Sequence, residues 1–285
     1  MSPSDSGSGG ARLAFGLVPY RDDDNIRTIL NDFCTLLGRA ASLTLVPHRA
    51  PSPSALAAAV HSGRVQLAWL SPTLLVTDPK LANVVPLVSS VREGAAFYHS
   101  VLFVADEGPI RRTADLSGKH AAWVAPTSAS GYLFPRLSLA RRGLDPRTLF
   151  SSETFCQSFS VVSEAVLVTG EADVGASFAV FEGSDPQRQL LRAGFLDAEL
   201  GRPARIIDIA GPIAADIIVI SSSIPLGLRV RLSTVLRHLV DDVQGRELLQ
   251  ALFGVDGFST VSPESLRTLR DFVKTARELG LLAAL

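Results

Sequence analysis

The chain has 285 residues, 47% of them hydrophobic and 19% charged, with a mean hydropathy of +0.27. That length exceeds a usual single domain and that composition excludes a disordered chain, so two lobes with their own cores are expected. A net charge of −1 supplies no global field for nucleic acid or an anionic membrane, and no apolar run nears the ~18–20 residues of a membrane span.

Residues 1–11 (MSPSDSGSGGA) read as a flexible leader, without the basic and apolar regions of a signal peptide. Leu13–Val18 is a first strand, Pro19–Tyr20 breaks it, and Asp22–Asp24 leads into a helix marked by Ile26, Ile29, Leu30, Phe33, Leu36 and Leu37, which Gly38 closes. Three consecutive carboxylates at a helix entrance are explained by capping and the positive helix end, so they assign no metal. Leu43–Val46 is a second strand, Ser54–Val60 a helix, Val65–Leu70 a third strand stopped at Ser71-Pro72, and Val84–Val88 a fourth.

From Tyr98 the rhythm restarts. The expected elements are a strand over His99–Ala105, a short helix at Thr113–Leu116, a strand at Ala121–Val124 and a helix ending near Leu139. Phe150–Phe155 and Ala172–Ala176 then read as strands around a helix at Val161–Val168, followed by strands at Ile206–Ile209 and Asp216–Ile220. Helices at Leu226–Val240, Gly245–Phe253 and Pro263–Leu279 finish the chain, with no strand expected among them. Strand–helix alternation predicts an α/β protein of two lobes, each a mainly parallel sheet flanked by helices. The first lobe is expected to take 12–97 and 212–285, the second 98–211.

Motifs for catalysis and cofactors are absent from the sequence. There is no G-x-S-x-G elbow, no phosphate-binding G-x-x-x-x-G-K-[ST] loop, and no G-x-G-x-x-G after a strand, and the five histidines lie apart from any recognisable nucleophile. Cys34 and Cys156 have neither a second cysteine nor a histidine at metal-ligand spacing; they read as buried thiols, with a single disulfide between them as the open alternative. The expectation is therefore a non-enzyme with no cofactor and no metal.

One segment does carry chemistry. Pro126-Thr127-Ser128-Ala129-Ser130-Gly131 stands between a buried strand and a helix, so hydroxyls and free backbone N–H groups meet where the helix dipole favours an anion. An ordinary serine N-cap explains the same residues, and both readings stay open on the hexapeptide alone. Tyr20 follows the first strand, Tyr98 opens the second lobe, and Tyr132, one residue past the hexapeptide, is read as helix packing. In open α/β sheets ligands bind beyond the carboxyl ends of strands, which would bring these positions to one interlobe cleft.

The segments Leu17-Val18-Pro19-Tyr20, Gly63 to Pro72 (GRVQLAWLSP), Tyr98-His99-Ser100, Asp115 to Lys119 (DLSGK), Pro126 to Pro135 (PTSASGYLFP), Gly143 to Pro146 (GLDP) and Gly170 to Gly175 (GEADVG) resemble the phosphonate/phosphite solute-binding family of ABC importers, in order and spacing from about Leu13 to about Phe258. The resemblance implies a type II periplasmic-binding-protein fold closing on a phosphonate, phosphite or phosphate-like oxyanion. It implies an ABC permease as partner, a monomer, and a periplasmic or cell-surface location, and the charge balance predicts no nucleic-acid partner; the lack of a signal peptide in the sequence leaves a cytoplasmic location open, and a cytosolic ligand sensor or partner-binding module on the same fold with a degenerate or altered site is the alternative. The family's anion loop falls on Ser128, Ala129 and Ser130, so its central hydroxyl is missing, and its crossing tyrosine falls on Tyr98. Thr127, Ser71 and Tyr20 complete the expected ligand-binding set. A second family tyrosine falls near Pro53, and the carboxylate that holds a ligand amine falls near Phe159-Ser160-Val161, where neither ring nor carboxylate is present. Cys156, Phe159 and Phe178 would make that wall of the cleft more apolar if they face it; packing into the lobe core is the competing reading.

Overall fold

A computed structural model describes residues 11–19, 25–196 and 202–281. Tyr20 and Asp22–Asp24 lie outside the described residues. The chain divides into two compact units, one comprising the chain up to Arg92 with Ala215–Ser262 and the other Glu93–Ala214 with the chain from Pro263 onward.

The first unit begins β1 (Arg12–Leu17), α1 (Ile26–Ala41), β2 (Thr44–Arg49), α2 (Pro53–His61), β3 (Leu67–Leu70), α3 (Pro72–Thr77) and β4 (Val84–Val91). Burial follows the apolar spacing of α1, where Ile26, Leu30, Phe33, Leu37 and Ala41 all face inward. Gly38, expected to close this helix, lies inside it, and the helix ends at Ser42 in a left-handed conformation. Gly38 has a different role: a Cβ there would stand 2.8 Å from the Leu43 carbonyl oxygen, so the glycine lets the next strand cross the helix closely.

The second unit continues with β5 (Phe97–Ala105), β6 (His120–Trp123), α4 (Phe134–Arg141), β7 (Ser152–Phe155), α5 (Phe159–Leu167), β8 (Val174–Phe181), β9 (Leu190–Ala193) and β10 (Ala204–Ala214). The chain then returns to the first unit as β11 (Ile217–Ser221), α6 (Leu226–His238), α7 (Val243–Phe253) and β12 (Gly257–Ser259), and ends on α8 (Pro263–Glu278).

The first sheet has the order β12-β4-β11-β3-β1-β2 and the second β10-β5-β8-β6-β7, with β9 beside β8. The α/β class holds, but the sheets are mixed instead of mainly parallel. Parallel pairing is confined to β1 with β2 and β3, and to β6 with β7 and β8, whereas β4, β5, β9, β10, β11 and β12 pair antiparallel. The parallel strands are those joined through helices; β5 and β11 arrive straight from another strand, without the crossover that parallel neighbours need. β12 is a short edge strand within the tail expected to be wholly helical.

Alternation along the strands gives each sheet two buried faces. In the first unit Phe15, Leu17, Leu67, Ile218 and Ile220 pack under α1, α6 and α7, while Ala68, Leu70, Ile217 and Val219 pack under α2. In the second, Leu102, Val104, Ala121, Trp123, Val174 and Ala176 share a core with Leu139 of α4, and Val101, Phe103, Ala122 and Ala179 share one with Val162 and Val166 of α5.

The last helix departs from the expected division. α8 belongs to the second unit, because its buried stripe (Leu266, Leu269, Phe272, Val273, Ala276) seats there, with Phe272 stacked on Phe134 of α4 at 3.6 Å. The unit boundaries accordingly fall at Arg92, Ala214 and Ser262.

Candidate functional site

The site is built at the carboxyl ends of β6 and β7 in the second unit. These strands run parallel in register, Trp123 beside Phe155, and the pairing extends past both ends: the Cys156 and Gln157 N–H groups donate to the Trp123 and Val124 carbonyls at 2.8 Å each. The two turns that follow therefore leave the same edge of the sheet.

The first turn holds four of the expected residues. Ser128 is extended (φ −71°, ψ 121°) and caps a π-helical turn over Ala129–Leu133 that runs directly into α4. Its Oγ accepts from the Gly131 N–H at 3.1 Å, and its carbonyl accepts from the Leu133 N–H at 3.0 Å. The Gly131 carbonyl in turn accepts from the Val124 N–H at 3.2 Å, which lays the turn over the end of β6. Only glycine permits this: a Cβ at 131 would stand 2.6 Å from a Val124 methyl and 2.7 Å from the Ser128 Oγ.

Ser130 is 3% exposed, and its carbonyl accepts from the buried Ser100 hydroxyl of β5 at 2.7 Å. Among the described residues the Ser130 hydroxyl has no hydrogen-bond partner, and the N–H groups of Ala129 and Ser130 donate to no acceptor. Thr127 is exposed beside them. Since the Ser128 Oγ accepts from a backbone N–H, its own proton is left to donate outward. The turn thus presents two amides and two hydroxyls at a helix start, a donor set suited to an oxyanion.

Tyr98 stands on β5 two residues before Ser100, so both point to one face of the sheet. Phe178 of β8 lies opposite Ser100 and shares that face. His99 takes the other face, edge-on to Phe181 at 5.6 Å, and burial holds its pKa below the ordinary histidine value. Tyr132 packs as expected, with Trp123 at 5.7 Å, Phe155 at 5.2 Å and the Arg136 guanidinium 4.9 Å from its ring centre. Arg136 is anchored in turn by Glu153, which also accepts from the Trp123 indole at 2.9 Å.

The second turn also ends in a serine cap. Ser158 opens α5, its Oγ accepting from the Val161 N–H at 3.3 Å and meeting the Ser160 hydroxyl at 3.0 Å. Ser100 and Ser158 were not expected as parts of the site; the Ser158 cap was readable from Ser-Phe-Ser before an apolar run, while Ser100 looks like any strand residue. Ser71 belongs to the first unit, where it is exposed and caps the six-residue α3 by accepting from the Leu74 N–H at 3.3 Å. Both cysteines are free: burial pushes the Cys34 thiol up to about 12, and burial followed by the Glu171 charge raises that of Cys156.

A model of the phosphonate-binding periplasmic substrate-binding proteins of ABC transporters matches residues 15–266. The chain belongs to that family. Solved structures agree on the fold. XAC2383 from Xanthomonas citri, bound to chloride ion, is 21% identical with a TM-score of 0.72, over 94% of this chain and 99% of that one. A binding protein component of an ABC phosphonate transporter from Pseudomonas aeruginosa is 17% identical, TM-score 0.67, over 95% and 88%. PhnD1 from Prochlorococcus marinus, in complex with methylphosphonate, is 15% identical, TM-score 0.67, over 95% and 98%. Among the described residues no helix is long and apolar enough to cross a membrane.

Proposed function

We propose that this chain captures a small oxyanion of phosphonate, phosphite or phosphate type at the Ser128–Gly131 turn, leaves it chemically unchanged, and delivers it to an ABC permease. The observation that carries this reading is the donor set itself: free Ala129 and Ser130 amides, an outward Ser128 proton and an unpartnered Ser130 hydroxyl, on one helix start, in a family of substrate-binding proteins. Anionic oxygens accept from these four groups, and the dipole of the continuous π-turn and α4 adds to the attraction. Tyr98 supplies a further hydroxyl from the face that Ser100 shares, with Thr127 as a peripheral contributor.

Ala129 offers the ligand an amide but no hydroxyl, which lowers the number of donors and favours ligands with other sources of affinity. With no carboxylate at Phe159-Ser160-Val161, an amine on the ligand finds no counter-charge there. Titration calorimetry against phosphate, phosphite and methylphosphonate tests the reading. Heat with at least one of them supports it, and silence with all three rejects the ligand class.

A further inference from the structure

We infer that Phe272 of α8 is a positioning residue for the anion turn: by stacking on Phe134 it holds the peptide that aims the Ser130 amide. The inference rests on the functional reading above and names the part of the chain that keeps that site in shape.

A trans peptide points its carbonyl and its N–H in opposite directions, so whatever holds one aims the other. In the π-helical turn the Ser128 carbonyl accepts from the Leu133 N–H at 3.0 Å, and the Ala129 carbonyl accepts from the Phe134 N–H. The Ala129 and Ser130 amides stand on the other side of those two peptide planes and face outward at the start of the helix. The next carbonyl in the same pattern, that of Ser130, would need an N–H from residue 135, and Pro135 has none. Ser100 supplies the missing donor from β5. The bond from the Phe134 N–H is thus the one that fixes the Ser130 amide.

Phe134, where α4 begins, is held in turn from far along the chain. Its buried ring lies flat on the buried ring of Phe272, with centroids 3.6 Å apart and planes 10° from parallel. Among the described residues neither ring belongs to the two sheet cores of the second unit, so α8 supplies the ring contact that covers Phe134. Truncating Phe272 leaves a cavity into which the Phe134 ring can tilt, and the Phe134 N–H moves with it. Leu266 stands on the same buried stripe near the start of α8, six residues before Phe272, and docks the helix without touching that stack.

The test compares the full chain with Phe272→Ala and Leu266→Ala, by calorimetry against the tightest-binding of phosphate, phosphite and methylphosphonate and by amide NMR without ligand. Both variants are expected to lower the urea midpoint, because both remove buried apolar area from one stripe. Only Phe272→Ala should also weaken binding, by about tenfold, the weight of one misaligned hydrogen bond to a charged group. It should shift the Ser130 amide of the ligand-free chain as well, while Leu266→Ala leaves affinity and amide where they are. If Phe272→Ala does not fold, Phe272→Leu takes its place and should give the same two changes at smaller size. An affinity or a Ser130 amide unmoved by loss of the ring, or an equal loss of affinity in Leu266→Ala, overturns the inference and leaves the serine turn as the site. A wild-type chain that binds none of the three anions removes the functional reading, and the inference with it.

Discussion

The two serine turns at the edge of the second sheet are close to being a controlled comparison. Ser128-Ala129-Ser130 and Ser158-Phe159-Ser160 follow adjacent parallel strands, and in each the first serine caps a helix by accepting from the N–H three residues on. They differ in the third residue. Ser130 is buried, held through its carbonyl by Ser100, and keeps its hydroxyl unengaged, whereas Ser160 is exposed and spends its hydroxyl on Ser158. They differ also in the middle residue, a small alanine in one and an aromatic ring in the other. A serine cap is thus a local device that any helix can use; a binding turn needs that cap, a rigid backing and donors with nothing else to bind.

The largest effect that comparison predicts is on affinity. Replacing Ser128 and Ser130 together with alanine should weaken binding of the preferred anion by about 2 to 5 kcal/mol, since hydrogen bonds to charged groups contribute about 1.5–3 kcal/mol each. Calorimetry measures it directly, and a loss below a few-fold would show that the turn is only a cap. Next comes Gly131→Ala, which forces a methyl against Val124 and the Ser128 Oγ and should cost about 1–3 kcal/mol of stability. Urea midpoints would register that cost, and an unshifted midpoint would mean that the turn is not held as tightly as the contacts imply.

Ser158→Ala sharpens the contrast. Loss of a serine cap costs about 1 kcal/mol of stability, yet anion affinity should change far less than in the Ser128/Ser130 double variant. Equal losses of affinity from the two turns would erase the distinction drawn between them.

The smallest effect concerns His99, on the face away from Ser100. Its folded pKa lies below the ordinary 6.5 because burial penalises the charged ring. The unfolded chain therefore binds the extra proton first as pH falls, so the associated stability is full above about pH 6.5 and declines below it. Urea midpoints at pH 7.5 and 5.5 should show the decline, reduced in His99→Gln; an unreduced decline assigns it to other groups.

Much of this was legible in the sequence, for identifiable reasons. Buried strands ending at Pro126 and a hydroxyl-rich stretch before Tyr132 mark a strand–turn–helix junction, and the restart of alternation at Tyr98 marks a second unit. Strand direction was not legible, because alternation of apolar residues is the same in parallel and antiparallel sheets. The partner of α8 was hidden for a similar reason: a stripe of Leu266, Leu269, Phe272 and Val273 announces that a face is buried but not against which unit. Ser100 escaped notice because its role lies in a contact 30 residues along the chain, and nothing local distinguishes it from Val101 or Leu102. Gly38 was misread as a terminator because close packing on Leu43 and helix termination ask for the same residue.

The central claim is that the oxyanion seats on the Ser128–Gly131 turn, and the most direct measurement is amide NMR of the labelled chain during titration with methylphosphonate. The account predicts that the Ala129 and Ser130 amides, which have no acceptor among the described residues of the protein, move downfield together and saturate with the calorimetric affinity. Saturable shifts confined to other parts of the chain, with these two amides unmoved, would contradict it.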